Sequence, residues 1–447
     1  MHMNKKLLQT LIENKDFKQI KNNINNMNIP DVAELIEELD NTYSLLIFRL
    51  LNKITAARVF SYISRANQKK FLLLVNEKEL KKLTDELFLD DKVDLVEEMP
   101  ANLVKKILKT SDEKERKLIN QFLKYPKDSA GSLMTIEFID LKKELTAAMS
   151  LERIKKLGYN KETIYTSYVI TNTRVLEGII ELKDLVLEDS NEKIENIMSK
   201  NVIYVNTHDD QEYVASIFKK YDLLSIPVVD NEKRLVGIIT IDDIMDVVEL
   251  ENTEDIHRMA AIEPSHTNYL DENIFILAKR RIIWLLVLMI SATFTGLILS
   301  RYEEALESVV ALTFFIPMLM DTGGNAGSQA STLIIRSITL EEIQFKDIFK
   351  VILKELGVSS IVGIILAILN FLRIYFIQGY SIKISLIVTM TLMLTVMLAK
   401  IVGGILPLIA KKAKLDPAIM ASPLVTTIVD TFSLIVYFRI ATLILKI

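Results

Sequence analysis

The 447-residue chain contains no cysteine, which excludes disulfides, thiolate metal sites and a cysteine nucleophile. Histidine is scarce: His2, His208, His257 and His266 are the four, all precede the long apolar runs, and no HExxH occurs. A zinc protease working inside a membrane is thereby excluded. The opening MHMNKKLLQTLIENKDFKQI has basic residues but no continuous apolar core, so a cleaved signal peptide is not expected. Charge is unevenly spread, at 25% of residues overall but sparse beyond Arg281. The pattern is a soluble acidic front on a membrane back, with nothing pointing to nucleic acid.

Five stretches, near 282–300, 306–335, 351–377, 384–410 and 417–445, are long enough to cross a hydrocarbon core of about 30 Å. Lys279, Arg280 and Arg281 precede the first, Arg336, Lys346, Lys350 and Lys354 follow the second, and Lys411, Lys412 and Lys414 follow the fourth. The opposite connections hold mainly Arg301, Arg373 and Lys383. Positive loops stay inside, so the amino terminus is expected in the cytoplasm and the carboxyl terminus outside.

Two spans carry groups that lipid does not tolerate. PMLMDTGGNAGSQAS puts Pro317, Asp321, Asn325 and Gln329 among small residues at membrane depth, where irregular or polar sequence survives by facing protein or a water-filled cavity. In PAIMASPLVTTIVDTFSLIVYF, Asp430 lies about 21 Å along a helix axis from the N-cap candidate Asp416. A charge so deep costs about 2.5–3.5 kcal/mol and marks a pathway; a protonated carboxyl, or pairing with Lys400, is the structural alternative.

The soluble front divides again. Residues 1–126 have helical apolar spacing and an echo, with DVAELIEEL at Asp31 returning as DKVDLVEEM at Asp91, as stacked helical pairs would give. Residues 127–250 alternate strand and helix, and Ile226-Pro-Val-Val-Asp230 followed by Gly237-Ile-Ile-Thr-Ile-Asp-Asp243 resembles the second of two cystathionine-β-synthase (CBS) domains, here 127–197 and 198–250. By that resemblance Thr240 and Asp243 can hold a nucleotide ribose, with Asp184 in the matching place of the first copy, although Glu181 replaces the hydroxyl there. From Asn206 to Phe275 sixteen acidic residues face five basic ones, and Asp242, Asp243, Asp246, Glu249, Glu251, Glu254 and Asp255 fall within fourteen positions. On one helix these repel, and a cation would relieve them. A connecting helix over 251–278 is then expected to lead into a transmembrane pore domain, 279–447.

Taken together, GGNxGxQ at Gly323–Gln329, DPA…PLVTT…D from Asp416 to Asp430, and Thr253-Glu-Asp-Ile-His-Arg258 are similar to the MgtE family of magnesium channels, over nearly the whole length. The resemblance implies a multidomain chain: an all-α superhelical front, tandem α/β CBS domains and five membrane helices. It implies a homodimer in the cell membrane, with Mg2+ as permeant ion and regulator and ATP as a candidate CBS ligand. It further implies that Asp430 holds hydrated Mg2+, that backbone carbonyls near Thr426 adjoin it, and that Asp321, Asn325 and Gln329 line the pore. Ser422 replaces a frequent family Asn. The sensor positions implied are Asp91, Asp210, Glu212, Asp222, Asp243, Asp246, Glu251, Glu254 and Asp255. Mg2+ would close the channel by bridging them. A carrier of Co2+ or Mn2+ and a non-conducting ion or nucleotide sensor are the alternatives. No P-loop is present, so no ATP hydrolysis of that kind drives transport.

Overall fold

The computed structural model describes residues 5–265, 269–270, 272–420 and 422–446. Packing divides the chain into two units, Met1–Val248 and Glu249–Ile447.

The first unit begins with ten helices, α1–α10, between Lys5 and Phe122. None exceeds ten residues, a length unstable in isolation, so tertiary packing must hold them. Contacts run from α3 (Ile29–Glu37) to α5 (Lys53–Tyr62), from α5 to α7 (Glu77–Thr84) and from α7 to α9 (Ala101–Thr110). Alternate helices stack on one another, and Ile20, Ile47, Phe60, Leu80, Val93 and Ile119 fill the core between them. The two echoing segments fall on α3 and α8 (Leu89–Glu98).

Two small sheets follow, built alike. In the first, β1 (Ile139–Leu141) runs parallel to β2 (Thr166–Ile170), and β2 runs antiparallel to β3 (Leu176–Glu181). In the second, β4 (Val205–Asn206), β5 (Ser225–Val229) and β6 (Leu235–Thr240) repeat the pattern, with a register shift near the end of the middle strand in both. Helices α11 (Ala130–Leu133), α12 (Ala147–Leu157), α13 (Leu182–Leu187), α14 (Ile194–Ile197) and α15 (Gln211–Tyr221) accompany them. Bridges Thr135 to Ile238 and Val175 to Arg234 tie the copies together. So does a 2.8 Å hydrogen bond between the Tyr168 and Ser225 hydroxyls, buried among Phe138, Leu235 and Ile238.

Helix α16 (Ile241–Met259) starts in the second sheet domain and runs on into the second unit. The expected connecting segment 251–278 is therefore not a separate helix: its start continues α16, its end belongs to α17 (Ile274–Arg301), and residues 266–268 and 271 lie outside the described residues. The second unit continues with α18 (Glu303–Ser308), α19 (Ile316–Thr339), α20 (Ile348–Leu372), α21 (Ile382–Lys412) and α22 (Ser422–Leu445). Among the described residues four helical segments, Ile274–Arg301, Phe345–Ile377, Ile382–Lys412 and Pro417–Leu445, are long and apolar enough to cross a membrane. The fifth expected span differs. Positions 306–315 are the end of α18 and a 3-10 turn at Val310–Phe315, and α19 begins at Ile316 with Pro317 in its first turn, where proline costs no hydrogen bond. Its 24 residues reach about 36 Å, and its polar groups set it apart.

Small residues let α19 sit at the centre of this unit, against both α21 and α22. A Cβ on Gly403 would fall 2.2 Å from the Gly327 carbonyl oxygen, and one on Gly323 would fall 2.5 Å from the Thr395 methyl. Backbones this close admit no larger side chain, as in other small-residue helix contacts.

Candidate metal centre and ion pathway

In the first unit folding gathers carboxylates from three places. Asp90 and Asp91 stand in the first turn of α8, Glu162 lies between a 3-10 turn at Gly158–Asn160 and β2, and Asp242 and Asp243 open α16. Burial, Asp91, Asp243 and Glu162 push the Asp90 carboxyl well above the usual range. Burial and the neighbouring acids also raise Asp91 to about 6, Asp243 to about 7 and Glu162 to about 8. Arg65 and Lys92 oppose the shift at Asp91. Asp90 Oδ1 and Glu162 Oε2 are buried without a hydrogen-bond partner. Such unmet acceptors are costly, and the donor set, all oxygen, suits a hard divalent ion. Among the described residues no three Asp, Glu or His side chains stand close enough to grip one ion directly, so the fit is to an ion that keeps its waters.

The other sequence-predicted acids are not gathered with them. Asp210 caps α15, accepting from the Glu212 N–H at 2.9 Å, while Asp222 ends that helix in a left-handed conformation, φ 51°. Eleven residues separate the two ends, about 17 Å, so Asp210 and Glu212 cannot share an ion with Asp222 within one chain. All three are exposed, as is Asp246. Thr240 donates to Asp243 at 2.9 Å, so the pair expected at a ribose is joined internally, with the carboxylate turned into the acidic cluster. Asp184 lies in the first turn of α13, and no hydrogen bond joins it to Thr240 or Asp243 among the described residues.

In the second unit, Glu254 and Asp255 on α16 meet the loop before α22. Arg258 pairs with Glu254 one turn back and with Asp416 at 2.5 Å. Asp416 also accepts from the Ala418 N–H at 2.7 Å. Burial first, then Asp416 and Glu254, raise the Asp255 carboxyl, against Arg258 and Arg336. Glu251, one turn earlier, is half-buried.

The membrane helices show a continuous polar face. Asp321, Asn325, Gln329 and Thr332 are exposed on α19 at helical spacing, while Gly323, Gly324, Gly327, Ala330 and Ser331 on its other side are buried. Asp430 on α22 is half-buried, within electrostatic range of Asp321. No ion pair joins it to Lys400 among the described residues, so pairing with that lysine is not what the structure shows. Thr426 turns its methyl to Gly324 and donates its hydroxyl to the Pro423 carbonyl at 2.9 Å, leaving its backbone as the group that could face an ion. The Ser422 side chain lies outside the described residues. The sequence alone does not single out Glu162, and it offers Asp416 only as a helix cap and as the start of the DPA motif.

Comparison with known proteins agrees in each region. Family profiles match for the MgtE intracellular N domain at residues 27–128, the CBS domain at 194–250 and a divalent cation transporter, MgtE, at 316–440. The magnesium transporter MgtE of Thermus thermophilus is 34% identical over 443 residues, 98% of each chain. That of Bacillus subtilis is 34% identical over 426 residues, covering 93% of this chain and 94% of its own. Among solved structures, the cytosolic domain of the Mg2+ channel MgtE in complex with ATP aligns at TM-score 0.51 and 32% identity, covering 54% of this chain and 98% of that one. The soluble part of a magnesium transporter aligns at 0.52 and 29%, covering 55% and 96%.

Proposed function

This chain belongs to the MgtE family, and on that footing we propose that it is a Mg2+-selective channel for magnesium uptake, closed by cytoplasmic Mg2+. The observation that carries the reading is the exposed polar face Asp321–Asn325–Gln329–Thr332 beside Asp430. Polar side chains aligned on one face at membrane depth need water or protein rather than lipid. A homodimer supplies both, with the faces of two copies enclosing the path. Mg2+ dehydrates reluctantly, so paired Asp430 carboxylates hold the permeant ion through its water shell. The amino terminus lies in the cytoplasm and the carboxyl terminus outside, in a multi-pass arrangement.

Closure depends on the acidic cluster. Asp90, Asp91, Glu162 and Asp243 would hold the regulatory ion, whose charge when bound offsets their mutual repulsion. Without that charge, α8 and the start of α16 repel each other. Because α16 belongs to both units, a change at its start has a continuous path to Glu254, Asp255 and Arg258. The ion biases this equilibrium only by its greater affinity for the closed arrangement. ATP at the CBS pair, with Thr240, Asp243 and Asp184 as candidate ligands, is a second regulatory reading, favoured by the relative solved with ATP.

The test is Mg2+ uptake into liposomes holding the full chain. Asp430→Ala is expected to reduce flux at least tenfold while gel filtration and melting stay as in the parent; undiminished flux refutes the reading.

A further inference from the structure

Beside the polar face of α19 lies a cavity of about 730 Å³, lined by Asn325, Ser328, Gln329, Thr332, Leu333 and Lys400. Lys400 comes from α21 and is only 5% exposed, yet it has no hydrogen bond or ion pair among the described residues. Its neighbours in the cavity are amides and hydroxyls, and no carboxylate lines it. A buried ammonium normally has a partner; this one faces open polar space. Its level follows from the helix contacts. Ala399, next in the chain, meets Gly327 beside Val425, whereas Gly323 meets Thr395 and Val429, next to Asp430. Lys400 therefore sits about one helical turn nearer than Asp430 to the Ser422 end of α22, the cytoplasmic end in the proposed topology.

We propose that Lys400 is a fixed positive charge in the inner vestibule of the ion path, and that it makes Mg2+ conduction inwardly rectifying. The inference rests on the channel reading above. A fixed charge lowers the local concentration of like-charged ions by a Boltzmann factor, and for a divalent ion that factor is the square of the monovalent one. Depletion at the inner mouth limits current drawn from the cytoplasmic side. Current entering past Asp430 from outside is affected less. The passive path thus loses little Mg2+ in the interval before the acidic cluster closes it.

Single-channel recording from the full chain in planar bilayers decides the matter, because unit current does not depend on how often the channel opens. Equal Mg2+ on both sides, below the closing level, and low ionic strength are used. Lys400→Met and Lys400→Gln are expected to raise outward unit current about fivefold, the size of one unit charge's effect on a divalent ion across a short span of water, and to raise inward current less. Lys400→Arg retains the parent rectification. An impermeant salt at high concentration erases the difference between parent and neutral variants by screening. Unchanged unit currents in both neutral variants overturn the inference while leaving the channel reading intact. So does Lys400→Arg behaving like Lys400→Met, which marks a shape effect. A parent protein that passes no Mg2+ overturns the channel reading itself.

Discussion

The chain crowds carboxylates in two places, and the surroundings differ. In the first unit the acids come from separate elements, α8, the loop before β2 and the start of α16, so their repulsion acts between elements distant in sequence. In the second unit Asp321 and Asp430 sit on helices locked together by glycine contacts, so their repulsion cannot be relaxed by movement and is available to an ion. In the proposed function the same chemistry serves as a switch where the acids lie on separate elements and as a pathway where the helices are close-packed.

The strongest way to break this contrast is to loosen the close-packed side. Gly403→Val places new atoms where a Cβ alone would lie 2.2 Å from the Gly327 carbonyl, and backbone cannot yield as a flexible side chain does. Overpacking of this kind costs about 1–3 kcal/mol or more. The full chain in detergent is expected to melt several degrees lower and to lose Mg2+ flux; an unchanged melting curve would show that the helices are not locked. Next in size, neutralising Glu251, Glu254 and Asp255 together is expected to leave the channel open at millimolar cytoplasmic Mg2+, read as patch current, since Arg258 then keeps only Asp416 as a partner. Persistent inhibition would remove these residues from the sensor. Smaller again, Asp90→Asn with Asp243→Asn takes two charges from the crowded cluster. The first unit of the full chain should then melt higher without Mg2+, by about 4–8 °C for a gain of about 2 kcal/mol, and Mg2+ should add less stabilisation than in the parent.

How much of this was legible depended on whether the signal was local. Asp430 and the run from Asp321 to Gln329 stand out because a polar residue in an apolar span violates composition over a few positions. The repeated CBS halves showed through Ile226–Asp230 and Gly237–Asp243, whose spacing is set by one hairpin. Glu162 could not be found this way: it lies in a loop with no periodicity and reaches the cluster only through the packing of the helical domain on the sheets. Asp210 and Asp222 came only with the family resemblance, which does not say that they lie at opposite ends of one helix. Lys400 was noticed as an ionisable group and weighed only as an alternative partner for Asp430, because sequence gives depth in the membrane but not the face of α21 on which a side chain emerges. The continuity of α16 across position 250 was missed because a domain boundary was read as an element boundary.

The gentlest probe of the contrast is pH, since it titrates the acidic cluster without altering a residue. Glu162 near 8, Asp243 near 7 and Asp91 near 6 are all raised above their unfolded values. Groups shifted in this direction stabilise the packed arrangement in their protonated form, an effect present at low pH and lost as pH rises through 6 to 8. Protons and Mg2+ relieve the same repulsion and must compete. Mg2+ binding by the full chain, followed by calorimetry in buffers of differing ionisation enthalpy, should release protons and weaken as pH falls from 8 to 6, by about tenfold per pH unit for each proton displaced. Over the same interval the Mg2+-induced rise in melting temperature should shrink, because the cluster at pH 6 is already partly neutral. Binding that is independent of pH between 6 and 8 would place the regulatory ion away from this cluster.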